Sequence, residues 1–218
     1  FEKVTADVVA SYIHGGGRIG VLVAGNGASD DAAKEALTNI AMQIAAMNPQ
    51  YISRDEISAD ELAKMKEITI DSALNDPFSL PKPVLSKLIE KAVAGVWSAE
   101  DVAIYEEKKS NMNFLPNFLS KEAKAQLAEI ACADKEEISG NKIFSGLVEG
   151  RISKQMKEIC LLDQVYVKAE DGKQTVAAYL KSVNPALKIA KFVRFEVGEG
   201  MEKKNEDFAA EVAKQMNV

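Results

Sequence analysis

Gly15, Gly17 and Gly20 fall in the spacing Gly-x-Gly-x-x-Gly, directly after His14, the single histidine of the chain. In a dinucleotide site that spacing links a strand to a helix whose N-terminus meets the pyrophosphate. Here the glycines run into Val21-Leu22-Val23, a strand-forming sequence. With no helix dipole behind them they read as a hairpin turn. Gly25 and Gly27 do lie between this strand and a helical pattern. They lack a third glycine, and no further parallel strand–helix–strand unit follows, so a turn is favoured over a nucleotide-binding enzyme built on these two residues. His14 has no Ser/His/Asp or Cys/His arrangement around it in sequence, and a histidine without a partner group is a poor catalyst. Glycines beside it allow close approach of another backbone, so His14 reads as a contact residue for a protein partner.

The other reactive residue types have plainer readings. Glu196 and Glu199 could be imagined as an acid–base pair, but they fit strand and turn surface charge. Arg151, Lys154 and Lys157 recur every third residue and fit a solvated helix face. Cys160 lies in Ile-Cys-Leu-Leu and fits a small buried hydrophobe. Two cysteines, Cys132 and Cys160, and one histidine do not make a zinc site. No catalytic constellation emerges, and neither a cofactor nor a metal is expected.

The chain has 218 residues, 47% hydrophobic and 28% charged, with a formal charge of −6. A nucleic-acid binder needs a basic face to displace counterions, so no nucleic-acid partner is expected. No apolar run approaches the roughly 20 residues of a membrane helix, so no membrane association is expected either. No signal peptide is evident, and a cytoplasmic setting is expected. The chain begins at Phe1 rather than Met, as a piece of a longer product would.

Hydrophobic periodicity places the elements. Val8 to Ile13 and Ile19 to Ala24 read as two strands of a hairpin. Ser29 or Asp30 can cap a helix with Ala33, Ala36, Leu37, Ile40, Ala41, Ile44 and Met47 on one face; Met42 and Met47 are expected in the core. Asn48-Pro49 stops it. Ser53–Glu56 and Ser58–Glu61 both fit the capping box, the second opening a helix to about Asn75. Pro77, Pro81, Pro83 and Pro116 then break the chain into short amphipathic helices: Val84 to Val96, Ala99 to Lys109 and Lys121 to Ala133. Trp97, Phe114, Leu115 and Phe118 would anchor them. Lys142 to Ile159 is a long returning helix. Val165-Tyr166-Val167 has strand texture, and Thr175 can cap a helix from Val176 to Ser182. Ala190 to Val197 alternates, with Val193, Phe195 and Val197 on one side and Phe192, Arg194 and Glu196 on the other, a strand with one side in the core. Phe208, Val212 and Met216 form a stripe on a final helix.

The expected fold is α+β: an antiparallel sheet layer covered by helices, with an inserted helical hairpin or coiled-coil subdomain. Residues 1–57 and 160–200 would form the core, 58–159 the helical hairpin with extra helices over about 73–141, and 201–218 a C-terminal helical module.

Four segments, in order, resemble bacterial elongation factor Ts, the guanine-nucleotide exchange factor of elongation factor Tu. They are SYIHGGGRIGVLV, IAMQIAAMNPQYISRDEISAD, VEGRISKQMKEICLLDQVYVK and KFVRFEVGEGMEKKNEDFAAEVAKQ. Together they cover most of residues 8–70 and 143–216. The resemblance implies the second half of that family's core, its coiled-coil hairpin and its C-terminal module. The family's N-terminal helices and first core half, which carries Thr-Asp-Phe-Val, are missing, and no such run occurs in this chain. The extra helices over about 73–141 also depart from the common pattern. The resemblance further implies a non-enzymatic exchange factor with elongation factor Tu as partner and a homodimer as a further possibility. His14 would sit at the interface with the GTPase's nucleotide domain, with Tyr12, Gly15, Gly16 and Arg18 beside it. Phe208, Val212 and Met216 would pack on the same domain. The competing reading is an interaction or dimerisation module that has lost exchange.

Overall fold

The computed structural model describes residues 1–200. The expected final helix, with Phe208, Val212 and Met216, lies outside the described residues. Three strands are present among them: β1 (Val8–His14), β2 (Ile19–Asn26) and β3 (Lys188–Glu196). The helices are α1 (Asp31–Met47), α2 (Ala59–Asn75), α3 (Lys82–Val93), α4 (Ala99–Lys108), α5 (Lys121–Ala133), α6 (Lys135–Ser139), α7 (Lys142–Ile159) and α8 (Val176–Val183). This is a mixed α+β fold. The chain divides into two compact units, Phe1–Asn48 with the chain from Tyr166 onward, and Pro49–Val165.

In the first unit the strands form one antiparallel sheet in the order β1-β2-β3. α1 packs on β1 and β2. Its N-terminus is fixed by Asp30, whose carboxylate accepts the Ala33 N–H at 2.8 Å, and it ends where Asn48 turns left-handed at φ 46°. Ala33, Ala36, Leu37, Ile40, Ala41 and Ile44 are fully buried, against a sheet face of Val8, Ala10, Val21 and Val23. Each buried Leu or Ile contributes about 1.5–3 kcal/mol. Met47 falls beyond this face and is exposed, contrary to its expected place in the core. Gln43 is buried on the same helix, and its Oε1 accepts the Val167 N–H at 2.7 Å. Residues 165–167 form no named strand. That stretch is instead held by turn bonds such as Tyr166 N–H to the Gln174 carbonyl at 2.8 Å. Tyr166 stacks on Tyr179 of α8 at 4.0 Å between ring centroids.

The register settles the sides of β3. Val23 pairs with Phe192 and Val21 with Arg194, and directly paired residues share a face. Phe192 and Arg194 therefore lie on the helix side. Val193, Phe195 and Val197 lie on the other, where Phe195 and Val197 are exposed together with Val9 and Ile13. The more apolar side of the strand is the one away from α1.

The second unit is helical and has its own core. Ile70, Leu74, Leu88, Ile89, Leu127 and Phe144 belong to one cluster. α2 packs on α5 and α7, and α3 on α5. The Ser58–Glu61 capping box forms in full. The Ser53–Glu56 one does not: Ser53 makes no cap bond before a short 3₁₀ turn, and Glu56 accepts the Ile52 N–H instead. Trp97 is buried and donates Nε1–H to the Ala123 carbonyl at 2.9 Å. Leu115 is buried, but Phe114 and Phe118 are exposed, because the turn that buries Leu115 directs its neighbours outward; Lys108 Nζ lies 5.0 Å over the Phe118 ring. Arg151 is not a free surface charge, since its Nη2 donates to Ser79 Oγ at 2.9 Å. Cys160 is buried, and Tyr51 forms a parallel bridge with it.

Candidate functional site: the hairpin edge of the sheet

The β1–β2 connection is a 3₁₀ turn over Gly15–Gly17. All three residues have positive φ, 61°, 65° and 94°, a region that costs other residues strain. A Cβ added at Gly16 or Gly17 would meet open space. The glycines are thus required by the backbone path, and they leave a thin rim.

The side chains beside this rim are set by strand register. His14 pairs with Ile19, and Ile19 with Glu196; Tyr12 pairs with Val21, and Val21 with Arg194. All six lie on the helix side of the sheet. Burial on this side ends with the row of Val21. Toward the hairpin Tyr12 and Ile19 are half-buried and His14 is exposed. The Tyr12 hydroxyl lies 3.1 Å from His14 Nδ1, and the rings are 5.9 Å apart with a 37° tilt. With the hydroxyl donating, the proton of a neutral His14 sits on Nε2, leaving a donor directed away from Tyr12. Arg18 closes the turn: its carbonyl accepts the Val197 N–H at 2.8 Å.

Arg194 completes the edge. Its side chain is only 10% exposed, and its Nη2 donates to Glu196 Oε2 at 2.8 Å. Its Nε is buried and has no hydrogen-bond partner among the described residues. From sequence, Glu196 reads as plain strand charge on the strand side that Arg194 shares. The alternation of Phe192, Arg194 and Glu196 carried the signal, but only the pairing with β2 shows that these residues share the side of Tyr12 and His14. This arrangement offers hydrogen-bond donors on a rigid sheet end. It holds no nucleophile beside a base.

The second glycine pair has a packing explanation. A Cβ at Gly25 would lie 3.1 Å from Leu37 Cδ1, and one at Gly27 would lie 2.1 Å from the Ala186 carbonyl oxygen. The amides nearby are already taken. Gly27 N–H donates to Asp7 at 2.9 Å, and Asp30 caps α1. Two carboxylates at this helix start repel phosphate, which counts against a nucleotide site there. In the helical unit, a groove of about 370 Å³ is lined by Ile57, Leu62, Ile152 and Met156, with Arg54 and Lys66 also in its lining. Arg54 is held by Asp163 at 2.8 Å.

Comparison with known proteins is decisive for the family. The profile described as Elongation factor TS matches residues 1–199. This chain belongs to the elongation factor Ts family. Elongation factor Ts of Clostridioides difficile is 37% identical over 218 residues, covering 99% of this chain and 52% of the relative. Elongation factor Ts of Desulforamulus reducens is 35% identical over 218 residues, covering 97% and 72%. Elongation factor Ts of Alkaliphilus metalliredigens is 37% identical over 216 residues, covering 96% and 72%. The chain spans about half the length of the Clostridioides difficile relative. Among the described residues, no helix is long and apolar enough to cross a membrane.

Proposed function

We propose that this chain docks on elongation factor Tu through the hairpin edge of its sheet and promotes the release of GDP. The observation that carries the reading is the family match over residues 1–199. The exposed His14, held by Tyr12 at the end of a rigid sheet, supports the choice of surface. Gly15, Gly16 and Arg18 form the rim of that contact. Phe208, Val212 and Met216 supply a second contact from the C-terminal module, and the helical unit supplies a further arm. The role is that of a translation factor acting in the cytoplasm, not of an enzyme.

The mechanism is linkage. A protein that binds the nucleotide-free GTPase more tightly than the GDP form weakens GDP by the same factor. No bond is made or broken by the chain's own side chains. Release of a fluorescent GDP analogue from elongation factor Tu, with and without this chain, tests it. Faster release supports exchange. Binding without faster release supports a docking module, consistent with the absence of a Thr-Asp-Phe-Val run.

One observation favours a homodimer as a second property. The sheet face away from α1 exposes Val9, Ile13, Phe195 and Val197, with Ile13 71% exposed, and apolar surfaces of this kind are commonly interfaces. Sedimentation of the chain against its Phe195→Asp variant tests this: a dimer that the variant abolishes supports it, and a monomer at high concentration refutes it.

A further inference from the structure

We infer that Arg194 is a recognition residue for a carboxylate of the GTPase, which displaces Glu196 from its guanidinium on docking. This inference rests on the docking proposed above. An arginine binds a carboxylate best through two parallel N–H groups on one edge of its planar fork. Nε and Nη2 form such an edge. Glu196 occupies only half of it: its Oε2 takes Nη2 at 2.8 Å, while Nε stays buried and without a partner among the described residues. A buried donor left unpaired is unfavourable, so the present pair is an incomplete one.

The two partners differ in freedom. The Arg194 side chain is 10% exposed and Glu196 is 44% exposed. Arg194 stands in the Val21 row, largely out of solvent, whereas Glu196 stands in the last row of the sheet, opposite Ile19 and in line with exposed His14. Nε is buried while Glu196 holds the fork, so an arriving carboxylate takes both Nε and Nη2 only as Glu196 turns to water and opens that edge. With exposed Arg18 on the same rim, the cationic fork selects an acidic spot on its partner, although the chain as a whole carries a net charge of −6.

This gives variants of opposite sign. Arg194→Lys keeps the charge but loses the planar fork, and the dissociation constant for elongation factor Tu should rise by about tenfold or more. Glu196→Ala removes the internal competitor, and the dissociation constant should fall by about threefold, because the free fork becomes the dominant state. Calorimetric titration of each variant into elongation factor Tu reads both effects, with thermal midpoints as the fold control. If Glu196 were a structural brace, both variants would bind more weakly, and that result overturns the inference. So does unchanged affinity of Arg194→Lys, or a large fall in its midpoint with affinity retained, since the acceptor would then lie within the chain. Should Arg194→Lys fail to fold, the sign of the Glu196→Ala effect decides alone. Failure of the unmodified chain to bind elongation factor Tu would instead refute the functional reading itself.

Discussion

Tyr12 and His14 stand two residues apart on one face of β1, and the tyrosine hydroxyl lies 3.1 Å from His14 Nδ1. Strand alternation puts them on the same side, and His14, past the buried rows of the sheet, stands in solvent. The bond biases the orientation of the imidazole before any partner arrives, which lowers the ordering needed on docking.

His14→Ala should therefore weaken binding to elongation factor Tu by about tenfold, the scale of a lost interfacial hydrogen-bonding side chain. Because His14 is exposed, the thermal midpoint should stay nearly constant. Tyr12→Phe should give a smaller loss of the same kind. Calorimetry and thermal denaturation on the same samples check both. A large fall in the midpoint of His14→Ala would place its role in stability instead.

Gly27→Ala tests the packing account of the second glycine pair. Its φ is 92°, and a Cβ would sit 2.1 Å from the Ala186 carbonyl oxygen. Strain and displacement together should cost about 3 kcal/mol in a denaturant titration. Gly16→Ala has φ 65° but open space, and should cost about 1 kcal/mol. Equal costs would contradict the assignment.

Acid should act on the helical unit through Asp101. Burial disfavours its charge, but the Ser120 amide and the Ser98 and Ser120 hydroxyls outweigh this and hold its carboxyl below the ordinary value. A depressed carboxyl pKa contributes stability above the unfolded value of about 4, and that contribution disappears as pH falls through the folded value. Asp101 also joins the caps of α4 and α5: Ser98 Oγ and Ser120 Oγ donate to it at 2.8 and 2.9 Å. Asp101→Asn should lower the thermal midpoint at pH 7 and flatten its fall between about pH 5 and pH 2. A variant with an unaltered pH profile would show that Asp101 does not contribute.

The helical core should behave as a close-packed one. Leu74 and Leu127 are fully buried in one cluster, and either Leu→Ala change should cost about 2–5 kcal/mol. Ending the chain after Gly200 should leave this stability intact while weakening docking, through the loss of Phe208, Val212 and Met216. Denaturant titration and calorimetry separate the two effects.

Elements with strong periodicity and caps were legible in the sequence. α1 is one, since its buried positions follow three-four spacing between Asp30 and Asn48; α5 and α7 were legible in extent, Lys121–Ala133 and Lys142–Ile159, though not in their caps. The elements misread were decided by tertiary context. Phe114 and Phe118 look like core anchors by type, but the turn puts Leu115 and Leu119, four residues apart, into the core and leaves both phenylalanines exposed. Val165-Tyr166-Val167 has strand composition and no strand to extend. The sides of β3 needed the register with β2, because alternation alone does not say which side meets the helix. The same gap hid Arg194: its type and spacing were visible, its burial and half-used fork were not.

Exchange by this chain requires a difference in its affinity for the two states of elongation factor Tu. Calorimetric titration of this chain into elongation factor Tu, once nucleotide-free and once loaded with GDP, measures it directly. Tighter binding to the nucleotide-free form, by the factor through which the chain weakens GDP, is the predicted result. Equal affinity for the two forms, or no binding to either, would contradict it.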